Sequence, residues 1–169
     1  AGARLLVNIS ASPYEAGKLK VRQKLLSRRA REASAALLYN NLVGGQDELI
    51  FDGGSMVFNS QGRLLAHAPQ FEEALFVVDL VIPEIKRISG KKLSRKPPRV
   101  LSVRIPPGRS DAKPLLPGRP PHRFLSREEE IYRALLLGTR DYVRKNRFEK
   151  VVLGLSGGID SSLVACIAV

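Results

Sequence analysis

Cysteine, tryptophan and long apolar runs are what this 169-residue sequence has least of. A single cysteine, Cys166, excludes an internal disulfide framework and suits a reducing compartment. The longest apolar stretch, 74–82, is interrupted by Asp79 and falls far short of the ~20 residues that a membrane-spanning helix needs. No secretory-signal pattern opens the sequence. The expectation is therefore a cytoplasmic protein with no membrane partner.

Acidic residues are scarce in one place only. The net charge of +12 looks like a nucleic-acid signal until it is mapped along the chain. Residues 1–85 carry nine basic and nine acidic side chains, and 124–169 carry seven and six. Residues 86–123 hold twelve basic residues, one acid (Asp111) and eight of the eleven prolines. Proline fixes φ and removes a donor, which opposes helix and central strand alike. The stretch also lacks aromatic residues until Phe124, just past its end, so base stacking is not provided for. It reads as an extended, solvated connector rather than a nucleic-acid or membrane-surface binder, although its clustered charge keeps the second reading open.

What is present on either side of this connector is patterned. Arg4–Ile9 reads as a short buried strand ended by the turn residues Ser10 to Pro13. A helix is expected over about 18–40, with Val21, Leu25, Ala33, Ala36 and Leu37 on one face, ended by Asn40-Asn41 and Gly44-Gly45. Strands follow at Glu48–Phe51, Ser55–Phe58 and Arg63–Ala68, with Asp52-Gly53-Gly54 and 59–62 as turns, and a buried strand at Leu75–Val81. Asp52 and Glu48 could pass for a carboxylate pair, but Asp52 reads better as turn chemistry. In the second part, Ser126 and Glu129 form a capping-box signature for a helix reaching about Asn146. An apolar strand over Lys150–Leu155 then feeds a glycine loop and a helix from Ser161.

That loop is the most informative segment. Strand, tight turn and helix together aim free backbone N–H groups at an anion, with the helix dipole adding to the attraction. Gly154, Leu155, Ser156, Gly157, Gly158, Ile159, Asp160, Ser161 and Ser162 make up the candidate ATP-binding set. The glycines permit close backbone approach and the serines add hydroxyl donors. Asp160 suits a loop that also holds Mg2+. A purely structural turn, with Asp160 or Ser161 as a helix cap, is the alternative. The Walker-type lysine is absent.

SGGIDSS in this setting resembles the signature loop of the ATP-pyrophosphatase family. LLVNISASPYEAGK and VGGQDELIFDGGSMVFNSQGRLLAHAPQFEE resemble the nitrilase-type glutaminase domain of the glutamine-dependent NAD synthetase family. The resemblance implies an α/β protein in three parts. Residues 1–85 would be the C-terminal half of a nitrilase-like α-β-β-α sandwich and 86–123 a basic Pro-rich linker. Residues 124–169 would open a Rossmann-like adenine nucleotide alpha hydrolase domain. It also implies adenylation of deamido-NAD by ATP, release of pyrophosphate, and displacement of AMP by ammonia drawn from glutamine. Ser12 and Lys18 match glutamine-contacting positions of the family; without the resemblance they are a turn serine and a solvated lysine. No catalytic residue is assigned, since the family's glutaminase cysteine, glutamate and lysine are expected upstream of Arg4. Cys166 reads as a buried, inert small residue rather than a catalytic one. The chain is thus expected to be an internal fragment, inactive alone, of an enzyme that forms a homo-oligomer. Another ATP-pyrophosphatase ligase is the alternative within this class.

Overall fold

The computed structural model describes residues 3–82 and 121–169. Of the expected connector 86–123, residues 86–120 lie outside the described residues. The first layer is a βαβ unit. Strand β1 (Leu5–Ser10) lies parallel to β2 (Ala36–Asn41), in a register that pairs Leu5 with Ala36, and helix α1 (Lys18–Ala33) connects them. Two antiparallel neighbours, β5 (Met56–Phe58) and β6 (Leu64–His67), complete the sheet in the order β1-β2-β5-β6. Helix α1 lays Leu19, Leu26 and Ala30 against Leu37, Tyr39, Met56 and Phe58 to make the larger apolar cluster.

The helix is shorter than its pattern suggested. Ser34 takes φ 50, its N–H closes on Ala30 and Arg31, and the chain leaves as β2. Ala36 and Leu37 match a helical period, yet six residues gain more by pairing along β1 in a buried sheet than by extending a solvent-facing helix. The buried face also differs. It is Leu19, Arg22, Leu26 and Ala30, while Val21 and Leu25 are exposed.

The second layer is a hairpin whose first strand lies where the helix end was expected, while its second lies within one residue of the strand expected at Glu48–Phe51. Strand β3 (Val43–Gln46) pairs antiparallel with β4 (Leu49–Asp52) across a turn in which Asp47 takes φ 51. Helix α2 (Arg127–Lys145) packs on it through Ala134 and Leu137, with Phe71, Val43 and Ile50. The backbones nearly touch. A Cβ at Gly45 would lie 3.2 Å from the Cα of Gly138. The N–H of Gly45 donates to Asp141 at 2.8 Å, and the Lys145 ammonium donates to the Gly45 carbonyl. Ser126 caps α2 as expected, its Oγ accepting from the N–H of Glu129 at 3.2 Å.

Three further expectations are corrected. Arg4–Ile9 forms a strand whose outward face is open, with Val7 and Ile9 exposed. Leu75–Val81 forms no strand: Leu75, Val77 and Val81 are exposed, and Phe76, Val78 and Leu80 cover the sheet beside Leu38 and Val57. Its nearly continuous apolar run, broken only by Asp79, hides a period of two with only one face against protein. Lys150–Leu155 also forms no strand and pairs with none among the described residues, and Val151, Val152 and Leu155 are exposed there. The last helix, α3 (Ile159–Ala168), has no buried residue.

Candidate functional site

Two groups of residues matter, one at each end of the described chain. The first surrounds the turn after β1. Ser12 is half-buried and is held at three atoms. Its N–H donates to Asn41 Oδ1 at 2.9 Å, its carbonyl accepts from Asn41 Nδ2 at 3.3 Å, and its Oγ accepts from Arg22 at 3.4 Å. Lys18 opens α1 and reaches back to donate to the carbonyl of Pro13 at 3.0 Å. Ser12 and Lys18, six positions apart in sequence, thus both border Pro13, the first as its chain neighbour and the second through its bond to the Pro13 carbonyl.

Beneath them lies a polar network that sequence reasoning missed. Arg22 faces Asp52 with both ends of its guanidinium, at 3.1 and 3.3 Å, and both side chains are buried. Such a fork fixes orientation as well as charge. Asp52 also accepts from Asn41 at 3.3 Å and from Gln70 at 3.4 Å. The turn reading of Asp52 holds in part, since Gly53 and Gly54 both take φ 62, but its carboxylate serves the interior. Gln70 donates onward to Glu130 on α2 at 3.1 Å, and Glu130 accepts from the N–H of Gly17 at 3.2 Å. The Tyr14 phenol nearby has its pKa pushed up to about 12, chiefly by burial and then by Glu130 and Asp52. The available signal was Arg22, a charge at spacing three and four from Leu19 and Leu26 on the buried face of α1.

The second group is the loop before α3. Gly157 takes φ 83 and Gly158 is the N-cap residue. Ser156 and Ser161 share a hydrogen bond at 3.0 Å, and the hydroxyls of Ser161 and Ser162 donate to the Gly158 carbonyl at 3.0 and 2.9 Å. This belt of hydroxyls fixes the turn without closing it. A Cβ at Gly154 or Gly157 would meet nothing within 4 Å, and one at Gly158 only Ser156 Oγ at 3.6 Å. Gly157 is explained by its φ, whereas packing among the described residues demands no glycine at 154 or 158. Asp160 is exposed in the first turn of α3. It is the single carboxylate there, and among the described residues no set of three or more His, Cys, Asp or Glu could cage a metal. One carboxylate fits an ion that keeps water and takes the rest of its ligands from phosphate, as Mg2+ does. Cys166, expected to be buried, lies exposed on α3, a helix that buries no residue among those described, and away from the first group in sequence and element.

The Carbon-nitrogen hydrolase family model matches residues 1–89, and the NAD synthase model matches residues 131–169. The chain is 46% identical over 173 residues to the glutamine-dependent NAD(+) synthetase of Thermotoga maritima and 47% over 181 residues to that of Aquifex aeolicus. Each comparison covers 99% of this chain and 30% of the relative, so the chain spans less than a third of the curated relatives it matches. Among solved structures, a glutamine-dependent NAD+ synthetase from Acinetobacter baumannii in complex with ADP superposes with a TM-score of 0.67 at 34% identity. That comparison covers 98% of this chain and 26% of the other. A second, from Cytophaga hutchinsonii, gives 0.63 at 25% identity, over 97% and 22%. With more than half its residues inside the first family model, the chain belongs to the carbon-nitrogen hydrolase family, and it carries that family's fold into the opening of an NAD synthase unit.

Proposed function

We propose that this chain is the section of a glutamine-dependent NAD synthetase where a glutaminase unit (1–85) leads through a basic connector (86–123) into an ATP-using ligase unit (124–169). ATP, glutamine and deamido-NAD are its small-molecule substrates, and the assembled enzyme is a homo-oligomer in the cytoplasm. The observation that carries this reading is the serine-belted loop at the start of α3, open at Gly154 and Gly158, within a chain whose first half is nitrilase-like. A related structure holds ADP, which supports an adenine nucleotide as the loop's ligand.

In this reading the backbone amides of Gly154–Ser162 meet phosphate oxygens, and the dipole of α3 adds positive potential there. Asp160 would hold Mg2+ through its one carboxylate; the ion, when bound, offsets phosphate charge as pyrophosphate leaves. Ser12 would use its hydroxyl, and Lys18 its ammonium, to orient the α-carboxylate and α-amino group of glutamine. Lys18 needs only to exchange its bond to the Pro13 carbonyl for one to a carboxylate.

The test uses a full-length synthetase carrying these 169 residues. Gly158 has ordinary φ −83 and room for a Cβ, so Gly158→Val leaves the fold intact and blocks only what approaches the loop. Both Gly158→Val and Asp160→Ala should abolish ATP-dependent pyrophosphate release. Normal release by either variant would refute the phosphate assignment.

A further inference from the structure

Helix α1 begins without the usual devices. Its N-cap position is Gly17 at φ 81, it has no side-chain cap, and its first turn contains no acidic residue. The missing carboxylate comes from another element. Three glutamates crowd the first turn of α2, and two of them, Glu128 and Glu129, suffice to complement that helix's own dipole. Glu130 is turned the other way. It is buried, and its two oxygens accept from the N–H of Gly17 and from Gln70. Gln70 spends its amide nitrogen on Asp52 as well as Glu130, and Asp52 holds Arg22, whose Nη2 donates both to Asp52 and to the Ser12 hydroxyl. One path of hydrogen bonds thus leaves Glu130 for the residue before Lys18, and another ends on Ser12.

Packing alone does not fix this junction. A cavity of about 410 Å3 opens there, with Gly17, Lys20, Gln70, Arg127 and Glu130 among its walls. Where side chains border open space, directional bonds rather than close packing decide where the start of a helix sits. We propose that Glu130 is a positioning residue for glutamine: from α2 it sets the start of α1, and through Gln70 and the Asp52–Arg22 pair it sets the Ser12 hydroxyl. The proposal rests on the reading of Ser12 and Lys18 as glutamine contacts. Its consequence is that a shift of α2, which leads into the ATP loop, alters glutamine affinity without any new contact to glutamine.

The experiment compares three variants of a full-length synthetase carrying this segment: Glu130→Gln, Gln70→Met and Lys18→Ala. Glu130→Gln keeps size but sets an amide against the Gln70 amide, and Gln70→Met removes the bridge at similar volume. Each is expected to raise the glutamine KM by about tenfold, the effect of one lost hydrogen bond, with kcat at saturating glutamine near that of the parent. In Glu130→Gln, hydrogen exchange at the Gly17 and Lys18 amides should also accelerate. If Lys18→Ala raises the glutamine KM but neither Glu130→Gln nor Gln70→Met does, the positioning role is overturned and the glutamine site stands. If no variant raises it, the glutamine assignment falls and takes the proposal with it. Equal losses with glutamine and with free ammonia would make Glu130 a general fold contact and overturn the proposal too.

Discussion

His67 ends β6 as a buried base with one partner. Its Nδ1 lies 3.2 Å from the carbonyl of His122, and a carbonyl only accepts, so Nδ1 carries the proton and Nε2 is a bare acceptor. Nε2 is buried and has no hydrogen bond among the described residues. The ring stacks on Phe124 at 4.8 Å and 20°. A second proton would have to sit on Nε2 in this apolar setting, and burial accordingly lowers the pKa from 6.5. The sign follows from linkage. The unfolded chain binds the proton first as pH falls, so the contribution of His67 to stability is complete above 6.5 and declines as pH drops below it toward the folded value. Urea midpoints taken above, near and below pH 6.5 should fall on the acid side, and His67→Asn should flatten that slope. An unchanged slope in the variant would assign the acid loss to other groups.

The α2–hairpin contact depends on two glycines whose replacement should not cost the same. A Cβ at Gly45 meets backbone, the Cα of Gly138 at 3.2 Å, and Asp141 Cβ at 3.3 Å, and neither can swing away. One at Gly138 meets Ile50 Cδ1 at 3.0 Å, the free end of a flexible side chain. Alanine at 138 also gains about 1 kcal/mol of helix propensity over glycine. Gly45→Ala should therefore destabilise by about 1 to 3 kcal/mol, as overpacking does, while Gly138→Ala stays near neutral. Denaturant unfolding of the two variants tests the contrast, and equal losses would mean that α2 is not seated as described. Legibility in the sequence follows the same physics. Capping chemistry is local, so Ser126 and the extent of α2 could be read directly. The end of α1 could not, because Ala36–Asn41 becomes a strand only through pairing with β1, thirty residues earlier. Strand β3 was hidden for a related reason: Val43-Gly-Gly-Gln46 has no strand pattern of its own, and its glycines answer to a helix almost a hundred residues later. The loop at 154–162 was legible because its backbone requirements are encoded within nine residues, whereas the Arg22–Asp52–Gln70–Glu130 network joins three elements and a loop residue that no spacing rule connects.

At the level of the molecule, a polar network runs through the interior and apolar surface is left over outside. Strand β1 stands at the end of the sheet order, and among the described residues nothing pairs with its outer edge. Leu5, Val7 and Ile9 are 41, 58 and 81% exposed on it, alternating with Leu6 on the core side. The loop and final helix add Val152, Leu155 and Ile159 to the exposed apolar surface. An unpaired edge with an apolar face is a template for another chain. The curated relatives carry more than twice as much additional sequence as this chain supplies, which is ample to cover such surfaces. The 169 residues alone should accordingly self-associate, and light scattering should give a mass that rises with concentration. Val7→Lys puts a charge on the exposed side of the edge strand, where lysine opposes strand addition, and should shift the distribution toward monomer without loss of helix content by circular dichroism. Association that persists in this variant would move the sticky surface to the loop and α3, where Val152→Lys is the corresponding probe. A compact monomer at every concentration would mean that the exposed face of β1 is tolerated by solvent alone.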